Sequence, residues 1–179
     1  MTDNEPSASP LNPRLIEEFH QILGGEGIVS RHSELKVYEC DGWTIEKSTP
    51  EVLLLPRTTP QVSAILRALD RYRVAFVPRG AGTGLSGGCL PLNAPVMVCT
   101  SRMNRIIAID LANRRVEVES GVVNLRVTDA VKHAGFLYAP DPSSQVACTI
   151  GGNIAENSGG PHTVRIVRTL GSELVVEKD

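Results

Sequence analysis

The chain has 179 residues, 41% of them hydrophobic and 21% charged, with a formal net charge of −2. That composition describes a globular domain with its own core and excludes a disordered chain. There is no basic excess to neutralise a phosphate backbone, and the 4% aromatic content offers no base-stacking surface, so nucleic acid is not an expected partner. Met1 to Asn12 has neither the basic n-region nor the apolar h-region of a signal peptide, and no apolar run approaches the roughly 18 residues of a membrane helix. Cys40, Cys89, Cys99 and Cys148 stand apart without metal-ligand spacing. Free thiols in a reducing compartment are expected, with a disulfide or metal pair as the alternative.

In chain order, Asn12-Pro13 opens a helix with Leu15, Ile16, Phe19, Ile22 and Leu23 at helical spacing, stopped by Gly24-Gly25. A polar stretch follows, with Asp41-Gly42 as a turn and Trp43 as an anchor. Val52 to Leu55 reads as a strand. Thr59-Pro60 then caps a helix with Val62, Ile65, Leu66, Leu69 and Tyr72 on one face, and Val74 to Val77 reads as a second strand. Strand, helix and strand with short joints imply a parallel pair with a right-handed crossover.

Val96 to Cys99 reads as a third strand, and Ile106 to Asp110 with Arg115 to Glu119 as a hairpin. Asn124 caps a helix bearing Val127, Ala130, Val131 and Ala134, closed by Gly135. A loop over residues 140–149 leads to a short helix over 151–157 that starts on two glycines, and Glu173 to Val176 reads as the last strand. The fold class is α+β with a mixed parallel and antiparallel sheet and flanking helices.

Two loops carry the chemistry. The first, Pro78 to Gly88, holds five glycines, so that backbone N–H groups can converge on a bulky anion, with Thr83 and Ser86 adding hydroxyls. Gly82 to Gly87 fits G-x-G-x-x-G, but Pro91 and Pro95 follow where a Rossmann motif must open a helix, and Walker A lacks its Gly-Lys-Ser/Thr. A flexible hairpin or barrel corner is the alternative. The second loop runs from Asp141-Pro142-Ser143-Ser144 to Thr149 through Gly160. A helix beginning Gly151-Gly152 would expose free N–H groups to an electron-rich ligand, with Asn153 and Asn157 offering amides from one face. Close packing of small residues against the sheet explains the same glycines. Together the loops point to a large phosphate-bearing cofactor.

Leu53 to Val62, Pro78 to Gly88, and Asp141-Pro142-Ser143-Ser144 with Thr149 to His162 together resemble the flavoproteins of the vanillyl-alcohol-oxidase type, whose FAD domain is called PCMH. Within them the similarity is to the glycolate oxidase large flavoprotein subunit and D-lactate dehydrogenases. The resemblance spans about residues 10–162. It implies an N-terminal arm and helix over 1–46 and a partial PCMH-type FAD-binding domain over 47–179, comprising the N-terminal subdomain and the start of the second. It implies FAD as cofactor. Gly80, Ala81, Gly82, Thr83, Gly84 and Ser86 would surround the pyrophosphate, Arg79 would compensate its charge or hold a salt-bridged structural role, and Leu85 and Gly87 would also contact the cofactor. Pro142, Ser143, Thr149, Gly152 and Asn153 would lie along the ribityl or isoalloxazine portion, and Gly151, Asn157 and Gly159 would also contact the cofactor. His162 would approach the ring or be an ordinary surface or core residue, and Asp141 would touch ligand or cap its own loop.

Family members run to more than twice this length. Thr163 to Thr169 stands where they carry a Tyr-Gly segment and a Thr/Asn/His stretch, so no catalytic residue and no metal site is carried over. The resemblance implies part of a flavin-dependent 2-hydroxy-acid oxidoreductase, in which hydride passes from the substrate α-carbon to FAD. A non-catalytic FAD-binding module and an inactive product of an interrupted gene are the alternatives. The expected partners are FAD, a separately encoded remainder and other oxidase subunits, in the cytoplasm or against the inner face of a membrane. Uncovered strand edges predict an isolated chain that is marginal, self-associating or partner-dependent.

Overall fold

The computed structural model describes residues 11–161 and the strand at 174–175. Helix α1 (Pro13–Leu23) opens as the sequence dictates: the Asn12 side chain accepts the Arg14 N–H at 2.9 Å, and Gly24 ends the helix at φ +68°. Strand β1 (Ile28–Val29) and the short helix α2 (His32–Leu35) lead to a polar segment that crosses the molecule. Strand β2 (Val52–Leu54), helix α3 (Thr59–Tyr72), strand β3 (Phe76–Arg79) and strand β4 (Val96–Cys99) follow. The α3 cap is Thr58, one residue earlier than expected: its hydroxyl accepts the Gln61 N–H, while the Gln61 side chain accepts the Arg57 N–H. The apolar face of α3 is also shifted. Ile65, Ala68 and Leu69 are buried, whereas Leu66 points outward.

The first sheet has the order β1-β2-β4-β3, with β1 antiparallel to β2 and the other pairs parallel. The strand–helix–strand unit therefore does not make β2 and β3 direct neighbours, as the sequence suggested, because β4 lies between them. Burial explains this. Every residue of β2 and β4 is buried, as a central parallel strand requires, whereas β3 alternates exposed and buried residues and carries Pro78, which suits an edge. Two cores follow from the period-2 alternation. Val52, Leu54, Val96 and Val98 pack under α1 and α3, while Leu53, Leu55, Met97, Cys99 and Val77 face Leu35 and Tyr38.

Strands β5 (Ile106–Asp110) and β6 (Arg115–Val118) form the expected hairpin, turning through Arg114 at φ +54°. With β7 (Leu174–Val175) against β6, they make a second, antiparallel sheet of three strands. Helix α4 (Asn124–Val131) packs Val127 and Val131 on Val116, Val122, Tyr138 and Ile150. Asn124 does not cap this helix. Its side chain is buried and donates to the Pro140 carbonyl at 2.9 Å, so it ties the following loop to the helix. The last described helix is α5 (Ile150–Glu156). Trp43 anchors nothing: it is 55% exposed, and the buried residue of that turn is Asp41.

Candidate active site: a glycine-walled cleft

Parallel strands β3 and β4 end side by side, and ligands of open α/β sheets gather beyond such carboxyl ends. Here the glycine-rich loop leaves β3, Thr100 follows β4, and Ser120 follows β6. A tight crossing brings the last two together: the Gly121 N–H donates to Met103 O at 2.7 Å, and a Cβ on Gly121 would stand 2.2 Å from Thr100 O. The start of α5 closes the other wall, with the Ile150 N–H on Val122 O and the Gly151 N–H on Ser120 O. The result is a cleft of about 320 Å³.

Arg79, Gly80, Ala81, Gly82, Thr83 and Gly84 line it from one side, and Thr149, Gly151, Gly152 and Asn153 from the other. Among the described residues, the N–H groups of residues 81–84 donate to no protein acceptor, so they are free to converge on an anion. The glycines are there because side chains would not fit. A Cβ on Gly80 would lie 2.5 Å from the Thr149 hydroxyl, and one on Gly82, itself at φ +74°, would lie 2.0 Å from the Arg79 guanidinium.

Arg79 is buried, and no carboxylate pairs with it among the described residues. It donates to Tyr38 O at 3.2 Å, Cys40 O at 3.0 Å and the Cys89 thiol at 3.4 Å, and it stacks over the Tyr38 ring. A buried cation held only by neutral groups leaves its charge available to an anionic ligand. Beside it, burial pushes the Cys89 thiol above its ordinary value, although the Arg79 charge pulls the other way. Two more groups await partners. The Thr149 hydroxyl and the Asn153 amide nitrogen are buried without a hydrogen bond, at 4% and 6% residue exposure on the cleft wall. A diphosphate-bearing, hydroxyl-rich ligand fits all three features: free amides, a buried guanidinium and orphaned polar side chains.

The remaining sequence-selected residues lie elsewhere. Leu85, Ser86 and Ser143 are exposed and, with Pro142, do not line the cleft. The Gly87 N–H is taken by the Asp41 carboxylate, and the Gly159 carbonyl accepts the Asp141 N–H. Asn157 does not share a face with Asn153, because it leaves the helix at φ +54° as an exposed cap. The start of α5 is also less open than its glycines suggested. Gly151 is glycine because a Cβ would press on Ser120 at 2.8 Å, and its N–H is already bonded. His162 lies outside the described residues. Sequence reasoning missed Asp41, Cys89, Thr100 and Ser120 on the cleft wall, and it did not single out Ser144 and Glu156 within the second loop. Of these, Thr100 and Ser120 had a signal, since Thr100 directly follows β4 and Ser120 the strand read from the sequence over Arg115 to Glu119.

Residues 50–177 match the family described as FAD binding domain. The chain is 45% identical over 163 residues to the glycolate oxidase subunit GlcD of Escherichia coli (strain K12), covering 91% of this chain and 33% of that protein. It is 31% identical to the D-lactate dehydrogenase of Anaerostipes hadrus, over 90% of this chain and 34% of that one. The chain thus spans about a third of the length of the curated relatives it matches. Among solved structures, an alkyldihydroxyacetonephosphate synthase superposes with a TM-score of 0.81 at 17% identity over 90% of this chain and 32% of that one. A p-cresol methylhydroxylase does so with 0.64 at 17% identity over 79% and 28%. These two share the fold, which with the family match is a PCMH-type FAD-binding architecture. With the cleft geometry and the family match together, the chain belongs to the FAD binding domain family, and FAD is its cofactor.

Proposed function

We propose that this chain supplies the dinucleotide-holding part of a flavin-dependent 2-hydroxy-acid oxidoreductase, with residues 1–46 as an arm and 47–179 as part of the FAD domain. The observation that carries this reading is the cleft, where unbonded N–H groups of residues 81–84 sit beside a buried guanidinium without a carboxylate partner. Bound FAD supplies a hydride acceptor for the substrate α-carbon. The chain's own residues bind and orient. Residues 80–84 and Arg79 receive the diphosphate, and Thr149 and Asn153 offer their unpartnered groups to the polyol or ring portion. Glycolate and D-lactate, named in the relatives, are the substrate class this reading favours.

No catalytic residue is assigned on this chain. Of the acids lining the cleft, Asp41 is occupied by backbone N–H groups and Glu156 stands at the Gly88 side. Substrate contacts belong to a remainder of the enzyme or to partner subunits. A cytoplasmic setting agrees with four free cysteines, and no helix among the described residues is long and apolar enough to cross a membrane. The test is the visible spectrum of the purified chain after loading with FAD and desalting. Retained, protein-shifted flavin bands are expected. A protein that gives up all its flavin would refute an independent cofactor site.

A further inference from the structure

Residues 38–43 lie before the family-matched stretch, yet they form the floor under the glycine-rich loop. Asp41 is 5% exposed, and its side chain bridges two backbones: Oδ1 accepts the Trp43 N–H and Oδ2 accepts the Gly87 N–H, each at 2.9 Å. The neighbouring Gly42 N–H donates to Gly84 O at 2.9 Å, and a Cβ on Gly42 would press on Thr83 O at 2.8 Å. Below the same loop, the carbonyls of Tyr38 and Cys40 hold the Arg79 guanidinium. One six-residue segment therefore fixes both ends of the loop's second half and aims its cation.

We propose that Asp41 is a positioning residue for the cofactor: by clamping Gly87 to the 41–43 turn, it keeps residues 81–84 in the concave shape that receives the diphosphate. This rests on the FAD reading above. The physical reason is entropic. A loop with glycines at 80, 82, 84, 87 and 88 has few side chains of its own to select one conformation, so without a clamp a ligand would have to order it and lose affinity in doing so. Bonds to a carboxylate are strong enough to order it beforehand. Burial pushes the Asp41 carboxyl up, but the N–H groups of Gly87, Trp43 and Thr44 outweigh that and hold it below its ordinary value, so it stays charged at neutral pH. The negative charge is directed at Gly87 and Trp43.

The experiment compares the full chain with Asp41→Asn, and with Ile65→Ala as a destabilised variant far from the cleft. FAD dissociation constants are read from flavin fluorescence well below each protein's unfolding midpoint, and amide hydrogen exchange of Gly87 is followed by NMR without FAD. Asp41→Asn is expected to raise the FAD Kd about tenfold or more and to accelerate Gly87 exchange, whereas Ile65→Ala leaves both near wild type. Equal Kd values for Asp41→Asn and wild type, or equal losses in both variants, would overturn the proposal. Should Asp41→Asn not fold, Gly42→Ala, which pushes on the same loop, takes its place with the same expected loss. A wild-type chain that shows Gly87 protection but no FAD binding refutes the FAD reading and leaves the clamp intact. A wild-type chain without Gly87 protection overturns the clamp itself.

Discussion

Substituting Gly82 by alanine combines two penalties that a second glycine separates. Gly82 sits at φ +74°, where an L side chain costs about 1–2 kcal/mol. Its Cβ would also stand 2.0 Å from Nη2 of the Arg79 guanidinium, which must then give up its bond to Cys40 O. Losing a buried, charge-assisted hydrogen bond costs about 1.5–3 kcal/mol more. Gly135 is the control: at φ +78° with nothing within 4 Å, it carries only the backbone penalty. Gly82→Ala is therefore expected to destabilise by about 2.5–5 kcal/mol and Gly135→Ala by about 1–2 kcal/mol. In a domain of this size that separates the two melting temperatures by several degrees, at about 2–4 °C per kcal/mol. Calorimetry without FAD reads the stability, and flavin fluorescence reads the affinity, which falls in Gly82→Ala alone. Equal melting temperatures for the two variants would refute the argument, because the guanidinium would then not be fixed under the loop.

Thr149→Val removes a buried hydroxyl that has no partner and leaves the shape unchanged. The unliganded chain is expected to gain about 1 kcal/mol, while FAD affinity drops several-fold; calorimetry and fluorescence titration check the opposite signs. Arg105 donates to both oxygens of the buried Glu119 carboxylate, through its backbone N–H at 2.8 Å and its guanidinium at 2.7 Å. The Arg105 side chain is the main cause that holds this carboxyl below its ordinary value of 4.5. Its stabilisation is thus complete above that value and lost as pH falls through the lowered one. Urea midpoints at neutral and acidic pH should show a shallower acid loss in Glu119→Gln than in wild type, and identical slopes would remove Glu119 from the acid transition.

Local chemistry was sufficient for much of this protein. Asn12-Pro13 and Gly24 set the ends of α1, the apolar runs 52–54 and 96–99 had to be buried strands, and five glycines between Pro78 and Gly88 announced a loop built for its backbone. Such signals act over a few residues, so they are legible in order along the chain. The tertiary structure decided what depends on distant segments meeting. Only the placing of β4 between β2 and β3 brings Thr100 beside Gly80, and only the crossing at Gly121 adds Ser120. Asn157 matched Asn153 in spacing but left the face because its backbone turned left-handed. Asp41 looked like a turn residue because its partner, Gly87, lies 46 positions away. No local propensity encodes such a pairing: it is set by how two connections of the first sheet pack on each other.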